Sequence, residues 1–361
     1  MALSSTMATD ALQEFVGAAE RAHLDAPWTG PVMSHEPKSR VLPFRWRWAA
    51  IEPLIRRTGE LVTPDRGVER RILRLANPGV MGKTATHTLS TAVQLLLPGE
   101  CAPAHRHSPA AIRFIMQGHG AYTTVEGEKC PMEPGDLVLT PSWTWHDHGS
   151  ESSGPVIWMD GLDIPLIRSL ETMFYEAFPD DRQSVSKALG DSARRYGAGG
   201  LKPAWAKPRP DLPPLVHYTW EHTYAALQQL ATVDASPFDD VVMEYINPAT
   251  GGSALRTIGC CIQMLRPDVH TQGHRQTSSA VYYVFAGQGC SVIEGERFDW
   301  SQGDFFVVPP WAWHEHINTG EGEALLFSIQ DVPVFEALGL YREEAYASNG
   351  GHQPITRVFE S

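Results

Sequence analysis

The chain has 361 residues, 42% of them hydrophobic and 20% charged, with a formal net charge of −13. That size accommodates two domains with cores of their own, and that balance is that of a globular protein. The negative charge argues against nucleic acid or an anionic membrane as a partner, and it obliges any anionic small molecule to find a locally positive pocket.

Residues 1–60 read as a helical N-terminal extension. Asp10, followed by Leu12, Phe15, Val16 and Ala19, with Gln13 completing a capping box, fits an amphipathic helix packed outside the domain that follows. The start lacks a basic segment followed by an apolar run, so no secretory signal is expected, and nothing approaches the roughly 18 apolar residues of a membrane span. The five cysteines, Cys101, Cys130, Cys260, Cys261 and Cys290, form no CxxC pair. They read as free thiols in a reducing compartment, and a cytoplasmic location is expected.

Residues 61–178 carry a first β domain. Short apolar stretches at Thr91 to Leu97, Ile112 to Gln117, Ala121 to Val125, Leu137 to Thr140 and Val156 to Met159 are broken by Gly and Pro, as an all-β barrel or sandwich requires. A helix is expected after Pro165, with Leu166, Leu170, Met173 and Phe174 on one face. Residues 179–225 form a Pro- and Gly-rich linker that ends in a helix from about Tyr218 to Leu230. A second β domain spans 226–345, with strands at Thr257 to Leu265, Ala280 to Phe285, Cys290 to Ile293, Phe305 to Val308 and Leu325 to Ile329. A closing helix begins at Pro333, and 346–361 is a tail.

The two halves share their punctuation. Gly135-Asp136, Pro141, Trp143, Trp145, His146 and His148 recur 168 positions later as Gly303-Asp304, Pro309, Trp311, Trp313, His314 and His316. Asp163-Ile164-Pro165 recurs as Asp331-Val332-Pro333, so the chain is a duplication. One difference stands out: His105-Arg106-His107 in the first copy is matched by His274-Arg275-Gln276 in the second. On a strand, alternate residues share a face, so His105 and His107 point the same way. With His146 on a neighbouring strand they make three imidazoles suited to a divalent first-row metal. His274, Gln276 and His314 are then a degenerate second site, since an amide is a poorer ligand than an imidazole. His87, His119, His217 and His352, taken singly, read as surface or satisfied core residues.

Gly99 followed by His105 and His107, then Gly135, Pro141 and His146, resembles the two signatures of the cupin superfamily. The usual glutamate after the histidine pair is missing, because Ala111 and Ile112 hold the candidate positions, and Trp143 replaces the usual glycine after the proline. Those departures, together with Glu69-Arg70-Arg71, Leu75-Ala76-Asn77-Pro78-Gly79, Ala102 to Ser108, Arg113-Phe114 and Trp158 to Asp163, resemble the bicupin gentisate 1,2-dioxygenases and their salicylate and 1-hydroxy-2-naphthoate relatives. The likeness runs from about Trp46 to Gly339.

The resemblance implies an all-β bicupin of two tandem double-stranded β-helix (jelly-roll) barrels with flanking helices. It implies one nonhaem Fe(II) per chain, in the N-terminal barrel, on His105, His107 and His146. It also implies extradiol-type cleavage of gentisate by O2 between the carboxylate-bearing carbon and the adjacent hydroxylated carbon, giving maleylpyruvate, in a homotetramer. Arg113, Arg70 and Arg66 are candidates for the substrate carboxylate, and Gln94 for a carboxylate or phenol oxygen. His148 is a candidate hydrogen-bond donor or proton shuttle, with Asp160 behind it in an orienting role. The same chemistry on salicylate, 5-aminosalicylate, 5-nitrosalicylate or 1-hydroxy-2-naphthoate is the alternative. A manganese or zinc decarboxylase or isomerase, and a non-catalytic ligand-binding bicupin, are more distant ones.

Overall fold

The computed structural model describes residues 2–29, 33–62, 70–209 and 212–360. They fall into two compact units, Met1–Lys38 and Ser39–Ser361. In the first, α1 (Ala2–Arg21) starts well before Asp10, which lies inside the helix instead of capping it. No Gly or Pro interrupts the preceding residues, so nothing local stops the helix there.

The second unit opens with β1 (Phe44–Trp46) and α2 (Trp48–Leu61). The first barrel follows as β2 (Arg71–Arg74), β3 (Ser90–Leu96), β4 (Cys101–His107), β5 (Ala111–Gln117), β6 (Ala121–Val125), β7 (Glu128–Met132), β8 (Leu137–Thr140), β9 (His146–Ser150) and β10 (Val156–Leu162). After it come α3 (Ile164–Ser169), β11 (Tyr175–Ala177), α4 (Asp191–Tyr196), β12 (His217–Tyr218) and α5 (Trp220–Leu230). The second barrel is β13 (Val241–Glu244), β14 (Gly259–Leu265), β15 (His274–Gln276), β16 (Ala280–Ala286), β17 (Gln288–Ile293), β18 (Glu296–Ser301), β19 (Phe305–Val308), β20 (His314–Asn318) and β21 (Ala324–Gln330). The chain closes with α6 (Val332–Ala337), β22 (Glu343–Ala345) and β23 (Arg357–Val358).

These strands make two tandem jelly-roll barrels. In the first, the sheet β12-β8-β5-β10-β3-β2 faces β11-β4-β9-β6-β7; in the second, β1-β19-β16-β21-β14-β13 faces β22-β15-β20-β17-β18-β23. The six-stranded sheet of the first barrel and its counterpart pack against each other, so both of their faces are buried. One face lines its own barrel: Ile115, Val138 and Trp158 in the first, Val284, Phe306 and Leu326 in the second. The alternate residues, Val93, Ile112, Phe114 and Met159 against Ile262, Val281, Phe305 and Phe327, form one core common to both barrels. Phe114 stacks on Phe327 there with ring centroids 4.1 Å apart. Strands buried on both sides explain the near-continuous apolar runs of the sequence, where a half-exposed strand would alternate.

Each barrel borrows the segment that precedes the other. β1 pairs with β19, whereas β12 pairs with β8. Just beyond, the Trp48 amide donates to Asp304 Oδ1 and the Trp220 amide to Asp136 Oδ1, both at 2.8 Å. The recurring Gly-Asp pairs are docking points for these two arms. A Cβ on Gly135 would lie 2.6 Å from the Trp220 ring, and one on Gly303 would lie 2.5 Å from that of Trp48; both glycines also have φ near +90°. No other residue type meets both conditions without strain. The exchange continues through the two Asp-x-Pro motifs: Thr257 Oγ1 donates to Asp163 Oδ2 at 2.5 Å, and Thr88 Oγ1 donates to Asp331 of the other barrel.

The helix expected after Pro165 is shorter than its apolar spacing suggested. α3 ends at Ser169, and Leu170, Met173 and Phe174 are exposed beyond it. The linker is draped over the first barrel, where Gln183 donates its backbone N–H to Asp147 Oδ2 at 2.9 Å. All five cysteines are free thiols. Among the described residues no helix is long and apolar enough to cross a membrane.

Candidate metal centre and substrate pocket

The first copy's three histidines meet inside its barrel. β4 and β9 are neighbours and pair His105 with His146. Ring centroids lie 4.4 Å (His105 to His146), 4.8 Å (His107 to His146) and 5.5 Å (His105 to His107) apart. Each ring is oriented by its own backbone neighbourhood, because Nδ1 faces a carbonyl: Pro103 O at 2.7 Å, Pro109 O at 2.8 Å and Thr144 O at 3.0 Å. A carbonyl only accepts, so the proton sits on Nδ1 and the Nε2 lone pairs are turned inward. Burial lowers the His105 pKa to about 3 and that of His107 to about 4, and pushes that of His146 well below its ordinary value, so all three are neutral. His146 Nε2 is buried without a hydrogen-bond partner. Three neutral, pre-oriented imidazole lone pairs fit a divalent metal ion. Arg70 Nη2 contacts His105 Nε2, so a bound cation and that contact would compete for one lone pair.

Behind the histidines the barrel wall carries a buried charge pair. The β5/β10 register sets Arg113 opposite Asp160, and Arg113 Nε lies 3.4 Å from Asp160 Oδ1. Arg113 Nη1 donates to Thr140 Oγ1 at 3.0 Å, and Trp158 Nε1 donates to Asp160 Oδ1 at 3.1 Å. Burial lowers the Arg113 pKa to about 10 while Asp160 opposes the fall, which leaves the guanidinium charged at neutral pH. Gln94 is adjacent on β3, opposite Trp158, and its Oε1 is buried without a partner. His148 sits two residues past His146 with its Nε2 equally orphaned. Its Nδ1 lies 2.8 Å from Thr123 Oγ1, whose hydroxyl is directed at Met132 Sδ 3.1 Å away. That chain places the imidazole proton on Nδ1 and leaves Nε2 an acceptor. Asp160 therefore holds Arg113 and the Trp158 indole, and it makes no hydrogen bond to His148. Arg66 lies outside the described residues.

The second copy keeps the frame and differs in the residues that fill it. His274 and His314 remain together, with centroids 4.2 Å apart. The Gln276 amide is engaged: Tyr341 Oη donates to its Oε1 at 3.1 Å, and its Nε2 donates to Gln330 Oε1 at 3.4 Å. Where Arg113 faces Asp160, the second barrel sets Tyr282 opposite Ser328, and where Gln94 faces Trp158 it sets Gln263 opposite Leu326. The buried charge pair is thus confined to the first barrel. His316 repeats His148 down to its hydroxyl partner, Ser291 Oγ at 2.8 Å. A histidine at this position is part of the shared architecture as well as of the first pocket.

Two features of the site went unseen in the sequence. Arg106, between His105 and His107, lies over Trp143 and Trp145 at 4.5 and 4.4 Å, and Arg275 repeats this over Trp311 and Trp313 at 4.3 and 4.4 Å. Trp143 and Trp311, at the position where the common pattern has glycine, adopt φ of +60° and +63°. Their amides donate to His107 O and Gln276 O at 2.8 and 2.7 Å, tying this loop to the histidine strand. The Arg between two histidines and the Trp-x-Trp pair were visible signals for this clamp. Tyr175, stacked on His105 with centroids 5.4 Å apart, had none, because β11 is only three residues long and exposed, with no apolar alternation to mark it.

Comparison with known proteins follows the same lines. The cupin domain family matches residues 92–164 and 262–330. The chain is similar to the 5-aminosalicylate 1,2-dioxygenase of Comamonas sp, at 44% identity over 98% of this chain and 94% of the relative. It is similar to the gentisate 1,2-dioxygenase of Streptomyces sp, at 39% identity over 95% and 96% of the two chains. Among solved structures, the salicylate 1,2-dioxygenase of Pseudoaminobacter salicylatoxidans in its gentisate adduct superposes with a TM-score of 0.87, at 34% identity, covering 93% of this chain and 94% of that one.

Proposed function

Because the chain belongs to the bicupin ring-cleaving 1,2-dioxygenases of hydroxybenzoate-type substrates, and is thus an oxidoreductase, we propose that it opens gentisate between the carboxylate-bearing carbon and the adjacent hydroxylated carbon. The product is maleylpyruvate, the co-substrate O2 and the metal Fe(II), one per chain. The assembly is the homotetramer that the family resemblance implies. The observation that carries this reading is the set of buried polar atoms left without hydrogen-bond partners in the first barrel beside the Arg113–Asp160 pair: Gln94 Oε1, His146 Nε2 and His148 Nε2. Buried polar groups are nearly always paired, so a cluster of orphans marks the place of a polar ligand.

Fe(II) on His105, His107 and His146 would supply chelation of the substrate's carboxylate and phenolate and the electron transfer that activates O2. The protein's own part is binding and proton placement. Arg113, held by Asp160 and Thr140, offers fixed positive charge to a carboxylate inside an acidic protein. Arg70 is at the same site and can turn from His105 to the incoming anion. Gln94 Oε1 accepts from a ring hydroxyl, and so does His148 Nε2, which is the proton acceptor that the Thr123 contact leaves available. The apolar wall of Ile115 and Trp158 excludes water from the ring.

A second substrate is favoured by the Comamonas relative, which acts on 5-aminosalicylate. An amino group in the 5-position donates electrons to the ring as the gentisate hydroxyl does. The test is oxygen uptake and ring-opened product by protein reconstituted anaerobically with Fe(II), offered gentisate, 5-aminosalicylate, salicylate, 5-nitrosalicylate and 1-hydroxy-2-naphthoate. Gentisate is expected to turn over fastest, with oxygen and substrate consumed in equal amounts. His107→Ala is expected to lose bound iron and turnover together, and Gln276→Ala to keep both. Silence on every substrate would refute the reading.

A further inference from the structure

Outside both barrel cavities, His270, Glu315 and His352 bring three ligand atoms within 4.8 Å of one another. Glu315 alternates with His314 and His316 on β20, so its side chain leaves the opposite face of the strand from theirs. Its carboxylate is 1% exposed. His270 Nε2 is 3.2 Å from Oε1, His352 Nδ1 is 3.8 Å from Oε2, and the imidazole centroids are 4.0 Å apart. His352 Nδ1 is itself buried without a hydrogen-bond partner. The Gln353 amide donates to both oxygens, at 3.3 and 3.2 Å.

The duplication shows what this carboxylate lacks. Its counterpart in the first barrel is Asp147, likewise buried, which accepts from the Gln183 amide as Glu315 accepts from that of Gln353. The residue before Gln183 is Arg182, whose fixed positive charge favours the ionised Asp147. The residue before Gln353 is His352, and the only basic side chains on Glu315 among the described residues are the two imidazoles. A buried carboxylate demands a compensating cation. Here a permanent one has been exchanged for two good metal ligands.

We propose that His270, Glu315 and His352 form a second, structural site for a divalent first-row cation, zinc being the best match. Two neutral nitrogens and one carboxylate are a familiar zinc donor set, and ligands at about 2.0–2.2 Å from a tetrahedral ion lie about 3.3–3.6 Å from each other. The separations of 3.2 and 3.8 Å bracket that value. His270 is partly exposed, which leaves a path for the ion and for a water as fourth ligand. The site ties three segments: the loop after β14, the outer face of β20, and the C-terminal tail, which continues into β23 alongside β18.

The full chain, loaded with Fe(II), is incubated with zinc chloride, desalted, and counted for both metals. Wild type is expected to retain about one equivalent of zinc per chain, and His352→Ala and His270→Ala close to none, with iron equal in all three. Zinc is also expected to raise the midpoint of thermal unfolding of wild type and to leave that of the two variants where it was. Both positions are partly exposed, so these variants fold. Failure of wild type to retain zinc, or equal retention and equal shift in the variants, would overturn the proposal in favour of a simple imidazolium–carboxylate pair. Neither outcome depends on the substrate of the first barrel.

Discussion

At the scale of single residues the two copies are each other's control. Arg113 and Asp160 are 1% and 3% exposed, and the second barrel fills the same two positions with Tyr282 and Ser328. Replacing Arg113 alone leaves an uncompensated buried carboxylate, a change that costs about 3–5 kcal/mol. Arg113→Tyr is therefore expected to be strongly destabilised in denaturant unfolding, and Arg113→Tyr with Asp160→Ser to recover most of the loss while turnover stays abolished in both. Recovery of activity by the double variant would remove Arg113 from the site. The cluster of His105, His107 and His146 was legible because alternation on a strand and a second motif constrain the three jointly. The tryptophan clamp was not, since a Trp at φ of +60° reads as a misplaced glycine until its ring is seen lying over Arg106. A cation–π contact of about 0.5–2 kcal/mol per ring offsets the backbone strain of about 1–3 kcal/mol.

At the scale of elements, the apolar strands announced themselves and the polar ones did not. β6, β8 and β19 have the bounds that their apolar runs gave. β4 and β9, the strands that carry the three clustered histidines, read Cys-Ala-Pro-Ala-His-Arg-His and His-Asp-His-Gly-Ser, and no apolar period marks them. The exchanged arms were invisible for another reason: β1 and β12 are three and two residues long, and their partners are remote in sequence. The arms do leave a mark at Gly135 and Gly303. Gly135→Ala is expected to cost on the order of 2–4 kcal/mol, from the positive φ and the overlap with Trp220. Gly154→Ala, where an added Cβ meets nothing within 4 Å, is the control and is expected to be near neutral. Equal midpoints in chemical denaturation for the two variants would contradict the docking role.

At the scale of the whole molecule, the joint between barrels is sensitive to pH. Asp163 bridges Ala110 of its own barrel and Thr257 of the approach to the other, and burial raises its pKa to about 6. The native state thus keeps this proton to higher pH than the unfolded chain. Its contribution to stability is fully present below about pH 4 and is lost as pH rises through about 6, at up to about 3 kcal/mol. Asp331 is shifted in the same direction by the same cause. Asp163→Asn keeps an acceptor for Ala110 and has no proton to lose. Unfolding free energies measured from pH 4 to 6 are expected to fall less steeply for this variant than for wild type, and parallel curves would exclude the effect. The duplication, and the exchange of His107 for Gln276 between its halves, were legible in the sequence as a repeat with substitutions. The shared core between the barrels was not, because a repeat reports two similar objects and is silent on how they touch.

The borrowed strands set an order of events during synthesis. The chain leaves the ribosome from its N-terminus, so β8 presents an uncovered edge until His217 and Tyr218 emerge, and Phe44 to Trp46 have no partner until Phe305 is made. An unpaired edge invites association with another chain. The first barrel, which holds the three clustered histidines, thus completes its sheet only when the segment leading into the second has been made, while the arm that precedes it waits for β19, late in the second.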